Sequence, residues 1–222
     1  IMSTFTATAA ARYPLIVMAG GIIASLIGIM TYRGYIIKRP DAGLTIGNFI
    51  AAVIIAAVAV YFSNDLLQSY VYGVCVSLGM LAVLLSGEAS KAYSIDGPIF
   101  KRLLPDVKKS GICQSMIYRL SIGMVSVFIP MILTTIAMIL AYYYANFYGI
   151  ALAAVGINSM AAVNSTVRGF SINAASASEI VSVNDPDAES PNPADVLLTA
   201  SVTADTVGKT YSGVAAFVTL VA

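Results

Sequence analysis

The chain of 222 residues contains no histidine, no tryptophan and only two cysteines, and these shortages remove whole classes of function. Without histidine there is no imidazole to ligate a metal or to act as a general acid or base near neutral pH. The two cysteines, Cys75 and Cys113, do not indicate a disulfide framework and are expected to be unpaired thiols. The net charge of +1 gives no reason to expect nucleic acid as a partner.

Charged residues are also scarce: they make up 10% of the chain, whereas hydrophobic residues make up 59%. Because soluble domains carry about 25% charged residues, this composition is not that of a soluble protein. The mean hydropathy of +0.86 points in the same direction. Composition therefore predicts an all-α, polytopic transmembrane helical bundle, integral to a membrane.

Six stretches of the chain are long and apolar enough to cross a hydrocarbon core of about 30 Å. We predict a single transmembrane domain over residues 1–222, with spans at 14–32, 44–62, 66–86, 120–142, 147–165 and 196–222 and polar loops at 87–112 and 166–195. A tight turn at residues 63–65 should make the second and third spans antiparallel neighbours. Pro130 should kink the fourth span, and the prolines within the acidic run 185–195 should prevent a regular element there. That run is either a solvated connector, which the spread of its carboxylates among prolines favours, or a metal-binding loop.

Basic residues are concentrated in alternate loops, since loops 33–43, 87–112 and 166–195 hold nine of the 12 lysines and arginines. This bias predicts that the three loops face the cytoplasm or a matrix-like compartment, in a membrane that the sequence does not identify. Four of the residues could also contact anionic lipid headgroups, although a loop on this face needs no partner: Lys101, Arg102, Lys108 and Lys109.

The predicted fifth span, residues 147–165, is built largely from small residues such as Gly149, Ala153 and Gly156. Small side chains have no advantage against lipid, but they let the backbones of two helices approach closely. We therefore expect this helix to lie inside the bundle. The sixth span is expected there too, because its first half is polar.

Four sets of residues, in chain order, resemble the membrane-bound, ion-pumping pyrophosphatases. Residues 13–17 and 20–22 are similar to the seventh helix of that family, and Glu88 with residues 92–94, Gly111 and 129–130 to its ninth-to-tenth region. Residues 148–156 (YGIALAAVG) are similar to the start of an inner-ring helix, and residues 205–208 with Thr210 to the DAVGNTT motif that opens the twelfth helix. The resemblance covers nearly the whole chain but only about six of the sixteen helices of the family.

The resemblance also shows where the chain departs from the family. Aligned without gaps, Arg168 and Ala175 take the places of two aspartates that help the family to hold magnesium pyrophosphate. Lys209 replaces the asparagine of the last motif and Val202 replaces an upstream aspartate, so only Asp205 remains among these acidic positions. Magnesium prefers carboxylate oxygens. The resemblance therefore implies that the catalytic residues and the metal ligands are lost, with no cofactor.

Asp205 and Lys209 stand one helical turn apart. They are either a remnant of an ion path, in which the lysine neutralises the carboxylate, or an ordinary stabilising pair near the interface. Arg168 could meet a phosphate, or it could set topology and interact with a helix C-terminus.

Three hypotheses follow. The leading one is a non-catalytic, pyrophosphatase-like structural or assembly subunit whose partners are other membrane protein subunits. The alternative is a portion of an active proton- or sodium-translocating pyrophosphatase that hydrolyses Mg-pyrophosphate, with Mg as cofactor and its other acidic helices on other polypeptides. A weaker third is a passive transporter or channel that uses Asp205.

Overall fold

The computed structural model describes residues 4–35, 40–93, 99, 112–184 and 193–222, and over these ranges the protein contains helices and no strands. The all-α class predicted from composition is confirmed. Seven helices occur in the described ranges: α1 Thr4–Tyr35, α2 Pro40–Leu67, α3 Tyr70–Tyr93, α4 Ile112–Ser126, α5 Phe128–Ser159, α6 Ala161–Asn184 and α7 Pro193–Val221.

The turn between α2 and α3 lies later than predicted. Helix α2 continues through residues 63–65 to Leu67, and the chain turns at Gln68, whose φ is 49°. Ser63 explains the difference, because its hydroxyl donates to the carbonyl of Ser69 and accepts from the backbone N–H of Gly73 at 3.0 Å. The prediction of a turn at 63–65 is therefore wrong: Ser63 stabilises the turn from inside the helix rather than forming it.

Helices α3 and α5 form the centre of the bundle. A Cβ added at Gly79 would overlap the carbonyl oxygen of Ala153, and one added at Gly156 would overlap that of Val76. The two backbones are thus in direct contact, as the small residues of 147–165 predicted. Leu152, Ala153 and Ile157 on α5 are buried, so the placement of this segment inside the bundle is confirmed.

Helix α5 is interrupted at Ala145 and Asn146, which have non-helical backbone angles. A straight helix would separate residues 141 and 149 by about 12 Å. Instead, a Cβ at Gly149 would overlap the carbonyl oxygen of Ala141, so the two halves fold against each other. The break expected near Pro130 occurs at Val127, immediately before α5 begins. Pro130 lies in the first turn of α5, where the backbone N–H that proline lacks would have no partner within the helix.

The predicted polar loop 166–195 is wrong over residues 166–184, which are helical as part of α6. A stripe of buried residues at intervals of three or four packs this helix against α7: Val163, Val167, Ser171, Ala174 and Ser178. Two of these residues are serines and the other three are small or β-branched, so the apolar periodicity is weak in the sequence. The loop predicted at 87–112 likewise begins later, because α3 extends to Tyr93. Helix α7 begins at Pro193, a residue that suits the first turn of a helix.

Four helical stretches in the described ranges are long and apolar enough to cross a membrane: Ala9–Thr31, Thr45–Leu67, Tyr70–Tyr93 and Met116–Val181. The last is 66 residues long, far more than the roughly 20 residues of one crossing, and it contains the breaks at Val127, Ala145–Asn146 and Met160. Helix α7 is not among the four, so a crossing at 196–222 and the count of six spans stay predictions.

Candidate functional site

The predicted site residue Asp205 forms an ion pair with Lys209 on α7. The Nζ of Lys209 lies 2.5 Å from a carboxylate oxygen of Asp205, one helical turn away. The two side chains are 68% and 39% exposed, with the lysine the more open of the two. The carboxylate is therefore occupied by a neighbour on its own helix, while the ammonium group has three donors and is largely exposed.

Arg168 does not join that pair. It lies on α6 and packs its aliphatic stem on Gly208 of α7, where an added Cβ would stand 2.5 Å from Arg168 Cγ. Its Nη1 donates to Ser212 Oγ at 3.4 Å, and Asn164 Nδ2 donates to the same oxygen at 3.2 Å. Ser212 can accept both bonds because its own proton goes to the carbonyl of Gly208 at 3.0 Å. Arg168 thus belongs to the contact between α6 and α7.

A groove of about 440 Å³ lies between α7 and the junction of α4 and α5. The ion pair stands on its α7 wall together with Thr206 and Thr210, and Phe217 lies further along the same wall. Pro130 and Met131 are on the opposite wall. A second cavity of about 280 Å³ also touches Phe217 and is lined mainly by α5 residues, including Met138, Ile139 and Ile150. The face of α7 that lines the two cavities is therefore charged at Asp205 and Lys209 and apolar at Phe217.

The family model described as Inorganic H+ pyrophosphatase matches residues 1–222. The chain belongs to this family.

Two similar proteins are named as K(+)-stimulated pyrophosphate-energized sodium pumps. The one from Clostridium tetani (strain Massachusetts / E88) is 26% identical over 208 residues, which is 90% of this chain and 31% of that protein. The one from Bacteroides thetaiotaomicron is 28% identical over 162 residues, or 66% of this chain and 22% of that protein. The chain thus spans less than a third of the length of each of these relatives. As a member of the H+ pyrophosphatase family with several apolar helices, it is a multi-pass integral membrane protein.

The magnesium that the family resemblance implies can be tested against the donor set. Asp205 is engaged by Lys209, and the position of another expected aspartate holds Arg168. Within the described ranges, no group of three or more Asp, Glu, His or Cys side chains could hold a metal ion. The residues present do not fit magnesium as the pyrophosphatase motif would hold it, because Asp205 is paired with Lys209 and the ungapped alignment puts Arg168 in the place of a carboxylate.

Sequence reasoning missed a second ion pair in this pyrophosphatase-family chain. Lys91 Nζ lies 2.7 Å from Glu88 Oε1 on α3 and also donates to Thr45 Oγ1 on α2. The Lys91 side chain is only 15% exposed. The predicted loop 87–112 includes Lys91, whereas in the structure α3 extends to Tyr93 and Lys91 lies on this helix.

Two further hydrogen bonds join α7 to this region. Thr210 donates to Ser90 Oγ at 2.8 Å, and Asn48 donates to the hydroxyl of Tyr211 at 3.2 Å, with Asn48 and Tyr211 both buried. The two acid–lysine pairs are therefore on helices held together by polar contacts. Among the residues of the Glu88–Lys91 pair and of these two hydrogen bonds, only Glu88 and Thr210 had a signal in the sequence, through the family motifs.

The candidates for lipid headgroup contact, Lys101, Arg102, Lys108 and Lys109, lie outside the described residues. The same is true of most of the acidic run 185–195, of which the backbone from Pro193 onward is described as helix. The assignment of loops 33–43, 87–112 and 166–195 to the cytoplasmic or matrix-like face stays a prediction.

Proposed function

We propose that this chain is a non-catalytic, pyrophosphatase-like subunit that contributes helices to a larger membrane assembly. One observation carries the proposal. Arg168, at a position where the family motif has an aspartate, is used for packing two helices of this chain together. A residue committed to holding α6 on α7 through Gly208 and Ser212 serves the fold and not a metal-bound substrate.

The arrangement around Asp205 supports the same proposal. A carboxylate that ligates a metal must offer its oxygens to the ion, but one oxygen of Asp205 already lies 2.5 Å from Lys209. A lysine in this position repels a divalent cation and would also discourage the passage of a monovalent one. This pair therefore counts against both hydrolysis and the passive-channel hypothesis.

The assembly role is supported by the face of α7 that lines the open groove. Lys209 is largely exposed, and a Cβ added at Gly213 would meet no atom within 4 Å. Charged and open positions on a helix of a membrane protein are costly against lipid and usually face protein or water. The other membrane subunits expected as partners would cover this face.

A second candidate function is a portion of an active pump. It is favoured by the names of the two relatives and by the fact that the chain spans 31% and 22% of their lengths. Acidic residues on the remaining helices could then supply the metal site, with Asp205 as one contributor. This candidate requires Asp205 to leave Lys209 when the substrate binds.

The test is to purify the native particle in mild detergent, identify the chains that accompany this one, and measure magnesium-dependent hydrolysis of pyrophosphate. We expect a large assembly without hydrolysis. A stable monomer of this chain alone would overturn the assembly role.

If the particle does hydrolyse pyrophosphate, Asp205→Asn separates the two candidates. Loss of hydrolysis in an intact particle would support the active pump and contradict the non-catalytic role. Unchanged hydrolysis would place the activity on the companion chains and leave the structural role standing.

A further inference from the structure

We infer that an exposed aromatic rim at one end of the bundle docks on the glycerol and ester-carbonyl region of a lipid leaflet without net charge. The rim consists of six side chains that are each at least 45% exposed: Tyr61, Tyr70, Tyr142, Tyr143, Tyr144 and Phe147. This inference depends on the membrane location of the chain and not on the proposed assembly role.

The rim residues flank two chain reversals that lie at the same end of the bundle. One is the turn at Gln68 between α2 and α3, and the other is the break at Ala145 and Asn146 in α5. The ring of Tyr72, just after the first reversal, packs edge to face on the ring of Tyr148, just after the second, with centroids 5.5 Å apart. The two reversals are therefore at the same level of the bundle.

The backbone at the reversals shows where the hydrocarbon core ends. The break in α5 has non-helical backbone angles, while its neighbours Tyr144 and Phe147 are exposed. Such backbone would lack hydrogen-bond partners if it faced lipid hydrocarbon. The apolar stretches Thr45–Leu67 and Tyr70–Tyr93 meet at the other reversal. The rim thus stands where membrane-spanning helices reach the boundary between hydrocarbon and water.

The tyrosine hydroxyls of the rim need acceptors from outside the described part of the protein. By contrast, two tyrosines that point inward have acceptors within it. Tyr148 donates to the carbonyl of Ala10 at 2.9 Å, and Tyr13 donates to the carbonyl of Ala59 at 2.9 Å. Within the described ranges, the five rim tyrosines have no hydrogen-bond partner. Hydrocarbon offers no acceptor and water does not favour exposed rings, whereas ester carbonyls beside acyl chains suit both parts of a tyrosine side chain.

The charges at this end indicate the kind of lipid. Among the described residues near the rim, the charged side chains are Arg12 and Asp65, which have opposite signs. Arg12 lies two residues after Ala10, which Tyr148 contacts, and Asp65 lies in the last turn of α2. Attraction to anionic headgroups needs an excess of basic residues, each contributing about 1 kcal/mol near the surface. Without that excess, a zwitterionic lipid such as phosphatidylcholine fits the rim.

The test uses the absence of tryptophan from the chain, since one introduced tryptophan is then a unique fluorescent reporter. The full chain is placed in phosphatidylcholine vesicles with Tyr143→Trp, which puts the reporter on the rim. Ile139→Trp is the matched control, because Ile139 is 62% exposed and lies one turn away on the same face of α5. Lipids brominated either beside the ester carbonyl or near the chain end quench an indole according to its depth.

We expect the tryptophan at 143 to be quenched more strongly by the shallow bromines and the one at 139 by the deep bromines. Because the two sites differ by about 6 Å along the helix, the ratio of shallow to deep quenching should fall about twofold from 143 to 139. Three results at 143 would overturn the inference. Stronger quenching by deep bromines would place the rim in hydrocarbon, stronger quenching by aqueous iodide would place it in water, and quenching by none of these would place it against protein.

The type of lipid is tested in the same samples. Replacing part of the phosphatidylcholine with anionic phosphatidylglycerol should leave the quenching ratio at 143 unchanged. A ratio that rises with the anionic lipid would contradict docking on a leaflet without net charge.

A further variant tests whether the hydroxyls hold the rim at this depth. With Phe147→Trp as the reporter, Tyr143→Leu combined with Tyr144→Leu should shift quenching toward the deep bromines, because side chains without hydroxyls enter the hydrocarbon. Ile139→Leu is the control, since it removes no hydroxyl and should leave the ratio unchanged. An equal ratio in the double variant and the control would contradict the docking of the hydroxyls on ester carbonyls.

Discussion

Gly79 of α3 lies directly against the backbone of Ala153 on α5, so close that a single Cβ would overlap the Ala153 carbonyl oxygen. This contact joins the two central helices, and it leaves no room for adjustment because the opposing atom is backbone. Gly156 and Val76 repeat the relationship with the helices exchanged. The stability of the bundle should therefore depend on these glycines.

Gly79→Ala should lower the free energy of unfolding by about 1–3 kcal/mol, the usual cost of overpacking a filled core. Gly123→Ala is the matched control, because a Cβ at Gly123 on α4 meets nothing within 4 Å. Thermal unfolding in detergent measures both variants. Equal melting temperatures for the two would contradict the close approach of α3 and α5.

Asn146→Gly should stabilise the protein. Asn146 has a φ of 52° and a ψ of −144°, a conformation that glycine adopts much more readily than residues with a Cβ. The expected gain is up to about 1 kcal/mol, because relief of strain is partly offset by the larger entropy of glycine in the unfolded chain. Asn146→Val should lose stability for the same steric reason. A melting temperature that falls in Asn146→Gly would mean that the break in α5 does not have this geometry.

The two lysines should respond differently to removal of their charge. Lys91→Met should cost about 1–3 kcal/mol, because Lys91 is largely buried and bonds both Glu88 and Thr45. Lys209→Met should cost less than about 1 kcal/mol in detergent, since the Lys209–Asp205 pair is exposed to solvent there. Chemical denaturation of the detergent-solubilised chain compares them. A larger loss of stability for Lys209→Met than for Lys91→Met would contradict the greater burial of the Lys91–Glu88 pair.

Asn48 and Tyr211 should be energetically coupled. Tyr211→Phe removes the hydroxyl that accepts from Asn48 and leaves a buried amide unsatisfied, at a cost of about 1–3 kcal/mol. In Asn48→Leu the hydroxyl is the group left without this donor. The double variant should cost less than the sum of the two, and a double-mutant cycle measures the difference. Strict additivity would contradict the hydrogen bond between α2 and α7.

Some features of the fold were predictable because they depend on local chemistry. Small residues at Gly149, Ala153 and Gly156 predicted a helix inside the bundle, and the motif residues from 205 to 210 predicted kinship with the pyrophosphatases. The helix at 166–184 was missed because its buried face contains Ser171 and Ser178, which look polar in the sequence and become core only against α7. The contacts of Arg168 were not predictable either, since its partners Gly208 and Ser212 are on another helix.

By itself, the sequence determined the class of this protein: an all-α, multi-pass membrane protein of the H+ pyrophosphatase family. An ungapped alignment also predicts that Arg168, Ala175 and Lys209 replace residues of the family motifs. These are properties of residue types and their order, and they do not depend on which helices meet. Only the tertiary structure decided what the replacements do. Arg168 packs on Gly208 and donates a hydrogen bond to Ser212. Lys91 joins α3 to α2, and Lys209 lines an open groove. The physical reason is that helix packing determines the hydrogen bonds and close contacts between residues distant in the chain. Local periodicity shows which residues share a helix face, but not which helix packs against that face.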